Sequence, residues 1–352
     1  MARKVSRHIV TVVLMALIVA GIAFWLRSRR LAPEYSYAYV VDSGAIVWNS
    51  NAQVRQPVVT LHYGERVAVL QHSGDRAEVR TDTGARGWID ESDLMDAELW
   101  QQAAMLLDRA KGMPVQARGH TRTISNVRLM AGRDGARIFQ FGRNEPVVVL
   151  ERSTSEIPAE SGTEATAQNL PKREDWLLVL RIPQARGPAA QSSAQAAAPG
   201  ETSSMPSPAV PIAGWVLARF IELDPPAPIP DYFSASNLRV VAWFVISSVP
   251  DGDERKPQYL VAGNRGGEGQ PCDFTLLRFY TWGAKRQRYE TAYVENDICG
   301  RFPLKVTANP AEQEFRFADP MQDGAEQTYR VRQTSVRRVT GNETSATRSK
   351  RR

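Results

Sequence analysis

The sequence predicts a mainly β protein: an N-terminal transmembrane helix, two small antiparallel barrels and a C-terminal β-sandwich or barrel domain. Three observations carry that prediction. Ile9 to Leu26 is an apolar run without a charge. The stretch from Thr60 to Leu94 reads as strand, turn, strand, turn, strand, and returns in altered form after residue 120. Beyond residue 232, seven strand-like runs fall within roughly a hundred residues, a density that fits an all-β unit.

Ile9 to Leu26 (IVTVVLMALIVAGIAFWL) holds 18 residues. At a helical rise of about 1.5 Å per residue it covers roughly 27 Å, close to the hydrocarbon thickness of a bilayer. Trp25 stands at its end, where aromatic side chains prefer the membrane interface. The run continues past the small pair Gly21 and Ala23. An uncleaved single-pass anchor over residues 1–30 is therefore expected over a cleaved leader, whose apolar core is typically about 7 to 15 residues. Three basic residues flank the run on each side, so only the amino-terminal charge tips orientation toward a cytoplasmic N-terminus.

The formal net charge of +6 is confined to the two ends. Arg3, Lys4, Arg7, Arg27, Arg29 and Arg30 lie in the first segment, Arg348, Lys350, Arg351 and Arg352 in the last, with no acid beside them. Without these ten, 34 basic residues face 38 acidic ones. Residues 31–347 are thus mildly acidic, and a nucleic-acid-binding face is not expected.

The first unit runs over residues 35–95. Asp42-Ser43-Gly44 is a turn between the strand-like runs YAYVVD and AIVWNS. Gly64 precedes the alternating Val67 and Val69, Ser73-Gly74-Asp75 makes a turn, Ala77 and Val79 alternate again, and Thr83-Gly84 leads to Gly87-Trp88-Ile89. Residues 96–119 form a linker that opens with a helix. Asp96 is a good N-cap, Glu98 sits in the first turn, Leu99, Ala103, Leu106 or Leu107 and Ala110 recur at helical spacing, and Gly112 closes it before Pro114. This helix is read as a spacer packed on a barrel; a docking helix with Trp100 exposed is the alternative.

The second unit, residues 120–223, repeats the strands with different turns. Asn126-Val127-Arg128-Leu129, Ile138-Phe139, Gly142, Pro146 to Leu150, Asp175 to Leu180 and Gly214-Trp215-Val216 follow in the same sequence, so that Gly142 falls on Gly64 and Gly214-Trp215 on Gly87-Trp88. Two turns are expanded, by insertions 152–172 and 184–211. The latter is rich in Ala, Ser, Pro, Gln and Gly and has no apolar period, so it is expected to be disordered. Such insertions at a hairpin tip are tolerated because loop-closure cost grows only logarithmically with length.

These two stretches resemble the bacterial SH3-like (SH3b) family, whose repeats carry gly-x-x-val-x-val-leu, a polar turn, a second strand and gly-trp-val. Ala45-Ile46-Val47-Trp48-Asn49 departs from the family's asn-val-arg segment, which Asn126-Val127-Arg128 keeps. The resemblance implies two small barrels on an envelope protein of the inner (plasma) membrane, with the bulk of the chain extracytoplasmic. It further implies a binding function, directed at cell-wall peptide or glycan (peptidoglycan) or at another envelope protein. The aromatic residues placed to approach a groove are Tyr63, Trp48 and Trp88 in the first copy and Phe141, Trp176 and Trp215 in the second. Trp88 and Trp215, on closing strands, suit a core equally well.

Residues 224–231, containing Asp224 to Pro230 (DPPAPIP), form a stiff proline linker. The third region, 232–340, carries the runs LRVVAWFVI, QYLVAG, FTLLRFYTW, RQRYETAYV, FPLKVT, EFRFA and TYRVRQ, with hairpin tips at Gly283-Ala284 and Asp323-Gly324. The chain closes in a basic tail, 341–352, expected to be disordered.

Catalytic groups are hard to find. The four histidines, His8, His62, His72 and His120, lie far in sequence from Cys272 and Cys299, and no spacing suits a zinc site. No metal and no cofactor are expected. Glu290 and Glu295 are the nominees for paired-carboxylate chemistry, although Glu290, among alternating Tyr and Thr, reads as a solvated side chain. Asp251-Gly252-Asp253-Glu254 lacks the remaining ligands of a calcium loop and reads as a turn. Cys272 and Cys299 are candidates for a disulfide, with two unpaired thiols as the alternative. The expectation is a non-catalytic binding protein. The alternatives are a cell-wall-active enzyme with its site in the C-terminal region and a structural scaffold of a membrane complex.

Overall fold

The computed structural model of the chain describes residues 35–157, 172–182, 210–227, 229–234, 238–309 and 312–339. The expected membrane helix from Ile9 to Leu26, residues 184–209 of the second insertion and the basic tail 341–352 lie outside them. Among the described residues no helix is long and apolar enough to cross a membrane. What is described is mainly β, arranged in three seven-stranded sheets.

The first sheet contains β1 (Ser36–Val40), β2 (Ala45–Trp48), β3 (Pro57–Leu61), β4 (Arg66–Ser73), β5 (Arg76–Thr81), β6 (Arg86–Asp90) and β7 (Leu94–Asp96), in the order β3-β2-β6-β5-β4-β1-β7. Alternation along the strands turns Val40, Val47, Val67, Ala77, Val79 and Ile89 to one side, where they form its core. The opposite face carries charged side chains: Arg76 opposite Asp90 and Arg80 opposite Arg86.

The second sheet contains β8 (Ala117–Thr121), β9 (Ser125–Arg128), β10 (Arg137–Phe141), β11 (Pro146–Glu156), β12 (Arg173–Arg181), β13 (Ile212–Leu217) and β14 (Ile221–Leu223). Its order, β10-β9-β13-β12-β11-β8-β14, is that of the first sheet strand for strand. Gly87-Trp88 and Gly214-Trp215 occupy the same strand, and each last strand is preceded by a 3-10 turn, Glu91–Asp93 and Ala218–Phe220. The expected match of Gly142 to Gly64 is corrected: Gly64 (φ 82°) donates its N–H to the Val40 oxygen, and the residue that makes the same bond in the second sheet, to the Thr121 oxygen, is Asn144 (φ 59°), an amide side chain being tolerated in the left-handed region.

The first insertion is shorter than its expected span of 152–172. β11 and β12 stay paired to Glu156 opposite Arg173, so the widened turn begins beyond Glu156. Arg152 lies within this paired stretch and is buried among acceptors: its Nη2 donates to Asp175 at 2.6 Å and its Nη1 to Asp273 at 2.8 Å.

Between the two sheets runs α1 (Ala97–Lys111), capped by Asp96, whose Oδ1 accepts from the Leu99 backbone N–H at 2.7 Å. Ala103 joins the core of the second sheet, with Leu99 and Tyr63 against it, while Ala110, Leu106 and Leu107 cover Val148, Leu150, Leu178, Leu180 and Trp215 on that sheet's outer face. The second sheet is therefore apolar on both faces, and each fully buried Leu-sized side chain contributes roughly 1.5–3 kcal/mol. Trp100 is not an exposed docking residue. It stacks on Tyr39 with ring centroids 4.8 Å apart and lies against Tyr63 and Gly64.

The proline linker is shorter than expected, because α2 (Ile229–Ser234) begins within it and buries Ile229 and Phe233 in the third unit. There β15 (Arg239–Asp251), β16 (Glu254–Asn264), β17 (Phe274–Gly283), β18 (Arg288–Asn309), β19 (Glu312–Asp319), β20 (Ala325–Arg332) and β21 (Ser335–Arg338) follow one another across a single sheet. In place of the expected sandwich or barrel, the seven strands make one meander whose end strands, β15 and β21, are not paired with each other. Each strand pairs with its sequence neighbour through a short connection, one of them Asp251 to Glu254, which is a turn as read. The runs RQRYETAYV and FPLKVT prove to be one long strand, β18, with a register shift between Arg301 and Lys305, and β21 is an additional strand. The sheet curls as a half-barrel, bringing Ala242, Leu260 and Phe279 from one half onto Phe315, Phe317 and Tyr329 from the other.

Gln116, fully buried before β8, fastens the third unit to the second. Its Oε1 accepts from the Leu304 N–H at 2.9 Å and its backbone oxygen from the Trp243 N–H at 3.1 Å.

Candidate functional site

The Gly-Trp dipeptide shared by the two sheets has a common geometric cause. β6 crosses β2, and β13 crosses β9, so closely that a side chain would collide. A Cβ on Gly87 would lie 2.3 Å from the Trp48 carbonyl oxygen, and one on Gly214 would lie 2.4 Å from Val127 Cγ1 and 2.9 Å from the Arg128 oxygen. The following tryptophan points to the other face. Trp88 stands opposite Trp48 in the first sheet and Trp215 opposite Arg128 in the second.

In the first sheet this face satisfies itself. Trp48 and Trp88 are half-buried, the Arg55 guanidinium lies 4.3 Å from the centre of the Trp48 ring, Arg76 pairs with Asp90 at 3.0 Å, and Arg86 with Glu78 at 2.7 Å. In the second sheet the registers place Trp176 opposite Leu217 where the first has Arg76 opposite Asp90. An apolar pair replaces an ion pair, and a groove of about 310 Å³ opens over it.

The groove has three kinds of lining. Leu217, Phe220 and the exposed Ile124 give it apolar surface over the buried Trp176, whose ring is fixed by its indole N–H, which donates to Ser155 Oγ at 2.8 Å. Asn126 and Gln140 form an amide pair across β9 and β10, at 2.9 Å. Arg128, Arg133 and Arg219 supply positive charge. Arg133 grips the buried Glu174 with two bonds, 3.0 and 2.9 Å, and Arg219 approaches the same carboxylate at 3.5 Å and Glu268 of the third unit at 3.8 Å. The hydrogen bond from Arg133 holds the Glu174 carboxyl below the usual range, so it stays ionised. Arg128 donates to the Gly135 oxygen at 2.5 Å. Among the nine lining residues the only ionisable groups are arginines. Such a surface is chemically suited to a ligand that carries apolar and anionic groups together.

The six aromatic candidates are thus divided by the structure. Trp176 lines the groove. Trp48 and Trp88 form the corresponding face of the first sheet. Trp215 packs under α1. Tyr63 and Phe141 lie at the joint between the first two units, with Tyr63 edge-on to Phe139 at 5.0 Å, Phe139 edge-on to Phe141 at 5.6 Å, and the Arg181 guanidinium 5.1 Å from the Phe139 ring. Burial there pushes the Tyr63 hydroxyl up to about 12, against the pull of Arg181.

Cys272 and Cys299 are joined in a disulfide that ties the segment before β17 to β18. Glu290 takes an ion pair from Arg286 at 3.0 Å, and Glu295 accepts from the Tyr293 hydroxyl. No cluster of three or more His, Cys, Asp or Glu suited to a metal occurs among the described residues. Of the nine lining residues only Trp176 was a sequence candidate; Ile124, Asn126, Arg128, Arg133, Gln140, Leu217, Arg219 and Phe220 were missed. Alternation about the buried Val127 already points Asn126 and Arg128 outward, which is the signal that could have found them.

Neither a protein-family profile nor a curated protein sequence matches the chain. Among solved structures, those of NlpC2 and NlpC1 from Trichomonas vaginalis align over 75% of this chain and over 97% and 93% of their own, at 9% identity and a TM-score of 0.16. A likeness at that score carries no argument about fold or function.

Proposed function

We propose that this chain is a non-catalytic, membrane-anchored protein of the cell envelope. Two tandem SH3-like units stand outside the membrane, and the second binds an extended cell-wall peptide or glycan bearing carboxylates. The observation that carries this reading is the groove over Trp176 and Leu217, with an apolar floor, an amide pair and arginines but no acid–base group in its lining. The amides meet backbone groups of an extended ligand and Arg128 its carboxylate, in bidentate fashion. The first unit, whose matching face is closed by Arg76 and Asp90, serves as a support. The matched strand order of the two sheets supports the tandem reading, and the apolar run Ile9 to Leu26 supports the anchor.

The test is a titration of the full chain in neutral detergent with purified peptidoglycan fragments, following tryptophan fluorescence. Saturable binding is expected, weakened about tenfold, or roughly 1.4 kcal/mol, by Arg128→Gln and by amidation of the fragment's carboxylates. Binding indifferent to both changes would remove the groove from the reading. A reporter active only outside the cytoplasm, fused after Arg352, is expected to be active; silence there, with a cytoplasmic reporter active, would remove the location.

A further inference from the structure

The last hairpin of the third unit, far in sequence from the groove and independent of the reading above, gathers arginines on one face. Tyr329, Val331 and Val336 turn into the core, with 1%, 3% and 8% of their surface exposed. Alternation therefore sends Arg330, Arg332, Ser335 and Arg337 to the outer face. Arg330 stands directly opposite Arg337, and Arg332 opposite Ser335. With Val339 they line a groove of about 330 Å³.

Three guanidinium groups share this groove and only one is neutralised. Arg330 pairs with Glu314, at 2.8 and 2.9 Å. Arg332 and Arg337 are exposed, and among the described residues neither has a hydrogen-bonding or acidic partner. The neighbouring basic residues differ in this respect, since Lys305 and Arg316 both reach Glu326. Arg337 stands across from Arg330, whose charge Glu314 already balances, so the charge left uncompensated in the groove is that of Arg332 and Arg337. The residue type narrows the ligand. Planar guanidinium forks match the oxygens of a phosphate two at a time, and the Ser335 hydroxyl adds a donor on the same face.

We infer that the outer face of β20 and β21 is a binding site for a phosphate group, held between Arg332 and Arg337 with Arg330 and Ser335 beside them. The full chain in neutral detergent is titrated calorimetrically with pyrophosphate and with inorganic phosphate. A short-chain phosphatidylglycerol is then added as competitor. Pyrophosphate is expected to bind. The double variant Arg332→Gln with Arg337→Gln weakens it about tenfold or more, while Arg316→Gln, which has Glu326 as its partner, changes it by less than about twofold. Both substituted arginines are exposed, so thermal unfolding should be unchanged and a loss of binding is not a loss of fold. Displacement by the lipid identifies a lipid headgroup as the source, and pyrophosphate binding without displacement a soluble phosphate; either supports the site. No binding of any of the three probes, or equal binding by the double variant, overturns it.

Discussion

Arg152 of β11 reaches across the boundary between the second and third units to Asp273, with Nη1 2.8 Å from Oδ1, while its Nη2 holds Asp175 of its own sheet at 2.6 Å. All three side chains are at least 95% buried, and Arg152 also donates to the Gln270 oxygen at 2.9 Å. Asp273 is completed by the Phe302 N–H at 2.7 Å. Burial nonetheless pushes its carboxyl above the usual range. A charge placed there is stable only while its partners remain.

Replacing Arg152 with Met keeps much of the side chain's volume but leaves two buried carboxylates without their shared cation. Breaking such an arrangement costs about 3–5 kcal/mol. Urea unfolding of Arg152→Met should show a loss of that size. Adding Asp273→Asn should recover part of it, since a neutral amide no longer needs the guanidinium. A double-mutant cycle showing no coupling between positions 152 and 273 would contradict the bridge.

Gly87 and Gly214 give a second prediction. Alanine at either site sets a methyl group against backbone or side-chain atoms at 2.3 to 2.4 Å, in the centre of a strand crossing. Each substitution should cost roughly 1–3 kcal/mol or more, because the crossing strand must shift. Gly267→Ala is the control: nothing lies within 4 Å of its added Cβ, and its stability should stay within about 0.5 kcal/mol of the parent. Similar losses at all three positions would refute the steric account.

The same glycines show how far the sequence could be read. Gly87 and Gly214 mark backbone geometry directly, which is why the correspondence between the first two sheets was visible in the residues, whereas the left-handed position of Gly64 passes to Asn144 in the second sheet and so misled the match to Gly142. Period-2 burial likewise placed Val67, Val79 and Val127 inside. What stayed hidden depends on partners distant in the chain. Arg152 looked like the start of a loop because its acceptors, Asp175 and Asp273, lie 23 and 121 residues away. The groove was hidden for a related reason: it lies over the buried Trp176 where Leu217, rather than an acid, stands opposite it across the strand pair. Strand runs in the third unit were legible, but not their curvature, which arises from side chains of β15 to β17 packing on those of β19 to β21.

The Cys272–Cys299 disulfide closes a loop with a sequence separation of 27. Loop-closure entropy for that span gives about 3–4 kcal/mol of stabilisation. Cys272→Ser with Cys299→Ser should lose that amount in urea unfolding, and a reducing agent should produce the same loss in the parent and none in the variant. Because the Cys272 and Gln270 oxygens accept from Arg152, the loss should be less than additive with Arg152→Met.

The joint between the first two units should respond to pH. Arg137 of β10 donates to the Ser92 oxygen and lies 3.9 Å from Asp42 and 3.8 Å from Asp93. Two carboxyl groups thus face one guanidinium. Burial first, then the hydrogen bond and charge of Asp42, push Asp93 up from 3.8 to about 6, with Arg137 pulling the other way and Asp90 adding a smaller push. Between these two values the folded chain holds a proton that the unfolded chain has released. Stability from this pair is therefore full below about pH 4 and is lost as pH rises through about 6. Asp93→Asn cannot lose that proton, so it should be more stable than the parent at pH 8, and the advantage should shrink steadily toward pH 4. Subtracting parent from variant at each pH removes the contribution of carboxylates that do not interact with Asp93. Asp42→Asn should flatten the same difference by returning Asp93 toward its ordinary range. A variant less stable than the parent at pH 8 would mean that the attraction of Arg137 outweighs burial and Asp42, the opposite of the balance that the joint's geometry sets.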